Sequence, residues 1–387
     1  MYLKRHLRFL ISKSWNYLTL AGVIRSSFLK SYSIKCQNSS KMITLNEVIS
    51  VLNKMAPLSL AESWDNVGLL VEPVILKPIE NVYFTNDLTE EVLDEAEKTG
   101  ANLIVSYHPP LFAPLKKITS QTWKERIIAR CLANGIAVYS PHTSWDSASN
   151  GLTDWLISIF DGKITVIQPH MSSPNFNYVV NISSENSFAV QKFNGCLKDF
   201  LESQFISQIN KEFKITNYGQ NNVQILCTST FLSLLNDMEI LSEFDLHANK
   251  NETLPSSISG SGRFCQLKSS LTIGNVVTMI KEHLGVEKLM LALPKSKTLD
   301  STIDSVATVA GSGASVLRGV KADLYLTGEM THHDILDAVH KNVVVVLSNH
   351  SNSERGYLNV FVERFSKYLP HLKISISTTD KDPLILI

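Results

Sequence analysis

Runs of apolar, strand-forming residues recur along this chain, and helix-length amphipathic segments separate most of them. Val82–Thr85, Ala101–Val105, Ile136–Ser140, Asp323–Leu326 and Val343–Ser348 are apolar almost throughout instead of alternating. Strands of that kind are buried on both faces, so helices must cover them and their pairing is largely parallel. The pattern predicts an α/β fold. Its helices have recognisable ends. Thr44 and Glu47 stand at capping-box spacing around the apolar face of Leu45, Val48, Ile49 and Leu52. A helix over Thr89–Lys98 is closed by Gly100, and one over Thr122–Ala133 by Asn134 and Gly135.

From about Phe160 to Gly262 the texture changes, and Asn, Ser and Gln become frequent. Strand-like Tyr178–Ile182 and Asn222–Thr228 alternate with helix-like Phe188–Phe200 and Thr230–Leu241, and Pro255–Gly262 reads as a loop. The expectation is two α/β lobes with mainly parallel sheets, residues 42–160 and 263–387, flanking an inserted small α+β module at 161–262. The second lobe resumes with a helix over Ile273–His283 and strands at Lys288–Leu291 and Val306–Ala310. A helix over Thr331–His340 and a last helix over Glu354–Tyr368 complete it.

Basic and acidic residues balance at 36 each, which gives no electrostatic grip on nucleic acid. The balance conceals a basic leader: no Asp or Glu precedes Glu47, while lysines, arginines and serines abound there. That composition predicts a mitochondrial transit peptide over residues 1–41, outside the fold. Translation from Met42 instead predicts a cytoplasmic and nuclear protein. Cys36, Cys131, Cys196, Cys227 and Cys265 are odd in number and unpaired in spacing. They argue against a disulfide framework and a thiolate zinc site, and they suit a reducing compartment. No uninterrupted apolar run reaches the roughly 18 residues that a membrane span needs.

Three strand-like runs end in polar, metal-competent segments. They are Ser106-Tyr107-His108-Pro109-Pro110, Pro141-His142-Thr143-Ser144-Trp145-Asp146 and Asn349-His350-Ser351-Asn352-Ser353-Glu354. Ligands of open α/β sheets bind beyond the carboxyl ends of the strands. Imidazole and carboxylate delivered there suit a divalent cation such as Zn, Fe or Mn. Each segment also has a plain reading: a structural histidine, a helix-capping Asp146, or an exposed His350–Glu354 pair. Together they predict a shared metal site of His108, Asp146, His350 and Glu354. His142, His332 and His333 are candidates to orient a water or relay its proton. Gly311-Ser312-Gly313-Ala314-Ser315 lacks the lysine of a P-loop and reads as a tight strand-to-helix turn. Trp64-Asp65-Asn66 reads as a turn that shapes the site floor or a subunit contact.

The runs Glu62-Ser63-Trp64-Asp65-Asn66-Val67-Gly68-Leu69, Ser106 to Pro110, Pro141-His142-Thr143 with Asp146, Leu326 to Asp334 and His350 to Gly356 resemble the NGG-interacting-factor-three-like family. That family also carries the label GTP cyclohydrolase I type 2, and the resemblance covers about Met42 to the C-terminus. It implies a dinuclear metal site in an α/β fold that assembles as a hexameric ring of dimers. In bacterial relatives the ligands are two adjacent histidines, an aspartate, and a histidine with a glutamate. The matching positions here are Tyr107 and His108, Asp146, His350 and Glu354. Tyr107 departs from the pattern, and a phenol of pKa about 10 is a poor ligand. One of two cation positions is therefore expected to be weak, giving one or two ions per chain. The family also implies binding of a transcriptional co-regulator in a co-repressor role. Three functions follow as expectations: a hydrolase-like protein that acts on a nucleotide-type small substrate by metal-activated water, a non-catalytic metal-binding scaffold for the co-regulator, or metal storage and delivery.

Overall fold

A computed structural model describes residues 42–75, 77–172 and 176–384, the last range excepting 186–191, 194, 196, 198–211, 219–221, 238–243 and 251–253. The basic leader and most of the helix expected over Phe188–Phe200 lie outside the described residues. The first helix, α1 (Leu45–Met55), has its capping box in place. Thr44 Oγ1 accepts from the Glu47 amide, and Glu47 Oε2 accepts from the Thr44 amide. Next come β1 (Gly68–Val71), β2 (Asn81–Thr85), α2 (Glu90–Thr99), β3 (Leu103–Ser106), α3 (Trp123–Asn134) and β4 (Ala137–Ser140). Two short helices, α4 (Thr143–Ser147) and α5 (Leu152–Ile157), lead into β5 (Gly162–Ser172).

The inserted region supplies β6 (Tyr178–Ser183), β7 (Phe213–Tyr218), β8 (Asn222–Cys227), α6 (Ser229–Asn236) and β9 (Asp245–Lys250). Its antiparallel sheet has the order β7-β8-β6-β9 and a core of its own around Val180, Ile182, Ile225 and Phe231. The chain continues through β10 (Leu254–Thr272), α7 (Ile273–Leu284), β11 (Met290–Ala292), β12 (Thr302–Thr308), α8 (Ala314–Leu317) and β13 (Leu324–Thr327). It ends with α9 (His332–His340), β14 (Val344–Leu347), α10 (Tyr357–Ser366) and β15 (Lys373–Ile376). Among the described residues no helix is long and apolar enough to cross a membrane.

Two large sheets result, each with a parallel centre. One has the order β11-β14-β13-β12-β10-β5, with β12, β13 and β14 parallel and the outer pairings antiparallel. The other has the order β1-β4-β3-β2-β15, antiparallel only at β1. The last strand thus leaves the second lobe and completes the first lobe's sheet beside β2. This exchange ties the sheets together. Val82, Phe84 and Val105 of one sheet share a core with Val306, Leu326 and Val346 of the other and with Leu358, Phe361 and Phe365 of α10. Full burial of such a side chain is worth about 1.5–3 kcal/mol. Separate clusters cover the opposite faces under α2 and α3, and under α8 and α9.

Local sequence misleads at two places. Pro255–Gly262 is part of β10, not a loop, and β10 pairs along β5 with a register irregularity between Pro255 and Gly260. The neighbouring strand satisfies the backbone of the Ser/Gly-rich stretch, and the irregularity absorbs the residues that cannot pair. The final helix begins at Tyr357, preceded by a 3-10 turn at Ser351–Ser353. His350 and Glu354 therefore flank a tighter turn than an α-helix provides.

Candidate metal centre

Strand ends from both sheets converge at one edge of the shared core. The chain leaves β3 through Tyr107 and His108, β4 through Pro141 and His142, and β14 through Asn349 and His350. His108 Nε2 lies 3.5 Å from Glu354 Oε2, and His350 Nε2 lies 3.3 Å from Glu354 Oε1. One donor atom from each of these three side chains lies within 4.8 Å of the others. Ligands held about 2.1 Å from a tetrahedral ion stand about 3.4 Å apart, so this is the spacing of groups that share one cation.

Each histidine nearby turns its Nδ1 to a carboxylate. His108 meets Asp87 Oδ1 at 2.8 Å, His142 meets Asp65 Oδ1 at 2.7 Å, and His350 meets Glu329 Oε1 at 3.0 Å. A carboxylate accepts only, so Nδ1 donates in each pair and Nε2 is the nitrogen left for an ion. Burial pushes the Asp65 carboxyl up, but hydrogen bonds from His142 and Thr143 overcome it and hold it below the usual range. Asp87 shows the same contest, won by the hydrogen bond from His108. His142 has φ 34°, a conformation costly for a side chain of this type, and the grip of Asp65 holds it there.

Glu354 is 2% exposed. Burial, reinforced by the charge of Asp146, raises its carboxyl well above the ordinary carboxylate range. Asn86 Nδ2 donates to its Oε2 at 3.1 Å. A buried carboxyl within 3.5 Å of two imidazole nitrogens makes a donor set that fits a divalent cation. Asp146, also raised by burial, takes a different partner: Tyr107 OH donates to its Oδ1 at 2.8 Å. Burial and the Asp146 charge push the Tyr107 phenol well up, which keeps it a donor. Room for the set comes from Gly311, which has φ +58°. A Cβ there would sit 2.6 Å from Glu354 Oε1 and 2.9 Å from His350 Nε2.

Two cavities meet at this cluster. The larger, about 520 Å³, is lined by His108, Asp87, His350 and Glu329 together with Trp123 and Leu384. The smaller, about 320 Å³, is lined by Tyr107, His142, Asp146, Glu354 and again His350, with the exposed Trp64 among its walls. Of the residues singled out in the sequence, His108, His350 and Glu354 form the donor set. His142 and Asp146 line the adjoining cavity, and Asp146 is not among the three grouped donors. His332 and His333 stand apart: they are exposed at the start of α9, pack against each other with centroids 5.6 Å apart, and line neither cavity. Sequence reading passed over Asn86, Asp87 and Glu329. All three follow strand ends, β2 or β13, and that position was the available signal.

Comparison with known proteins places the chain among relatives. The model of the Duf34/NIF3 (NGG1p interacting factor 3) family matches residues 43–383. "NIF3-like protein 1" of Rattus norvegicus is 40% identical over 381 residues, covering 96% of this chain and 100% of the relative. The "GTP cyclohydrolase 1 type 2 homolog" of Clostridium perfringens is 27% identical over 89% of this chain and 99% of its own length. The crystal structure of Staphylococcus aureus protein SA1388 superposes with a TM-score of 0.63 at 24% identity, covering 89% of this chain and 99% of that one. That last likeness concerns the fold.

Proposed function

This chain belongs to the Duf34/NIF3 family, and on that premise we propose that it is a divalent-metal-binding, hydrolase-like protein acting on a nucleotide-type small substrate. The observation that carries the reading is the donor set of His108, His350 and Glu354, with a carboxylate behind each histidine. Imidazole and carboxylate donors suit Zn, Fe or Mn. An ion held there would supply Lewis acidity, able to polarise an oxygen and to lower the pKa of water.

The protein's own groups do the rest. Asp87 and Glu329 fix the ring planes of His108 and His350, and Asn86 holds Glu354 Oε2. His142 commits its Nδ1 proton to Asp65, so its Nε2 is the group that takes a proton from water in the smaller cavity. Asp146 lies close enough for His142 to bias its ionisation, and it provides a countercharge to the imidazolium formed. With Tyr107 bonded to Asp146, the reading is one tightly held ion per chain. The nucleotide class rests on the name of the Clostridium perfringens relative.

The test incubates GTP with chelator-treated protein and with protein reloaded with Zn, Fe or Mn, and follows the products by chromatography. Turnover that returns with metal and vanishes in Glu354→Gln is the expected result. Turnover that survives in the Asp146→Ala/Glu354→Ala double variant overturns the reading. Metal binding without turnover of any nucleotide leaves the scaffold function in its place.

A further inference from the structure

Resting on that reading, we propose that the larger cavity is the substrate pocket, and that it selects a flat aromatic ring bearing an anionic group. The ring lies on Trp123, and the anion is drawn to Lys124 and Lys381. The smaller cavity is left to water and to His142.

Three observations lead there. Trp123, the first residue of α3, is 45% exposed and lines the cavity shared with His108 and His350. A half-bare indole beside an apolar wall of Met290, Pro110 and Leu384 offers a stacking surface and little hydrogen bonding. The charges in the wall are unequal in their commitments. Asp87 is bonded to His108, Glu329 to His350, and Asp382 accepts from Ser351 Oγ and the Leu384 amide. Lys124 and Lys381 make no hydrogen bond or ion pair among the described residues, although Lys124 Nζ lies 5.4 Å from the Trp123 ring centroid. Lys124 and Lys381 are therefore the wall groups free to pair with an incoming anion, and Lys124 sits beside the aromatic face. Finally, about 520 Å³ accommodates a ligand of nucleotide size. His350 lines both cavities, so a molecule in the larger one reaches the donor set from a cavity that His142 does not line.

The test compares two fluorescent probes on the full chain loaded with zinc: the anion anilinonaphthalene sulfonate and the neutral N-phenylnaphthylamine. Trp123→Ala is expected to weaken both roughly tenfold, as loss of an aromatic stacking partner does. The Lys124→Ala/Lys381→Ala variant is expected to weaken the anion by roughly tenfold and to leave the neutral probe unchanged. Added salt is likewise expected to weaken the anion alone. Displacement of the anion by GTP identifies a nucleotide pocket, and displacement only by naphthalene sulfonate identifies a pocket for other aryl anions; both uphold the inference. Affinities unchanged in both variants, with circular dichroism matching the parent protein, overturn it. Repeating the titration in Glu354→Gln separates the two readings. Tryptophan- and lysine-dependent binding that persists without GTP turnover in any form of the protein leaves the pocket standing while the hydrolase reading falls. Turnover with binding indifferent to Trp123 and both lysines does the reverse.

Discussion

The edge where the two large sheets meet and the inserted four-stranded sheet obey different rules. Around the donor set, polar side chains are buried in quantity: Asn86, Ser351, Ser353 and Glu354 are all enclosed, and Tyr107 joins Asp146 there. In the inserted sheet, no buried polar side chain occurs among the described residues, and Val180, Ile182, Ile225 and Phe231 form a wholly apolar core. Buried polarity is costly to a fold, so a protein tolerates it where hydrogen bonds, a ligand or a reaction returns the loss. The contrast sets the buried polar groups of the candidate site apart from the inserted sheet, which has a core of its own.

The comparison breaks if a change in one region is felt in the other. Phe231→Ala, which removes a ring stacked on Phe213 at 4.2 Å between centroids, is expected to cost about 3–5 kcal/mol. That loss should appear in hydrogen exchange across β6 to β9, with zinc affinity unaltered; a fall in zinc affinity would join the two regions. Glu354→Gln is expected to lower zinc affinity roughly a hundredfold, about 2.7 kcal/mol, by competition calorimetry. Its sign should reverse without metal. The Glu354 carboxyl is raised in the folded protein, so its contribution to stability is present below the unfolded carboxylate pKa and is lost as pH rises through the folded value. At neutral pH, chelator-treated Glu354→Gln should therefore melt higher than the chelator-treated parent.

Smaller effects sharpen the picture. Gly311→Ala forces a methyl group against Glu354 and His350 at a positive φ, and about 2 kcal/mol of stability should go with it, together with weaker zinc binding. Asp87→Asn is expected to lower zinc affinity by about tenfold, because His108 loses the acceptor that orients it. Asp65→Asn should leave zinc affinity alone and slow turnover, since its histidine faces the smaller cavity. Equal zinc loss in the Asp65 and Asp87 variants would make His142 a ligand.

Much of this was legible in the residues. Apolar runs such as Ala101–Val105 and Val343–Ser348 announced β3 and β14, and the polar segments after them held His108, His350 and Glu354. Thr44, Thr89 and Thr122 marked helix starts correctly, because capping is a local interaction. What stayed hidden was long-range. Nothing near Lys373 says that β15 crosses to pair with β2, and nothing near Pro255 says that β5 will accept it as a strand partner. The roles of Asp65, Asp87 and Glu329 were hidden for the same reason. A carboxylate after a strand is common, and only the fold decides which one meets an imidazole.

The most direct test is the anomalous diffraction of crystals grown from zinc-loaded protein. The account predicts one strong peak per chain within about 2.0–2.2 Å of His108 Nε2, His350 Nε2 and a Glu354 oxygen. A peak of similar height between His142 and Asp146, or no peak at the three donors, would contradict it.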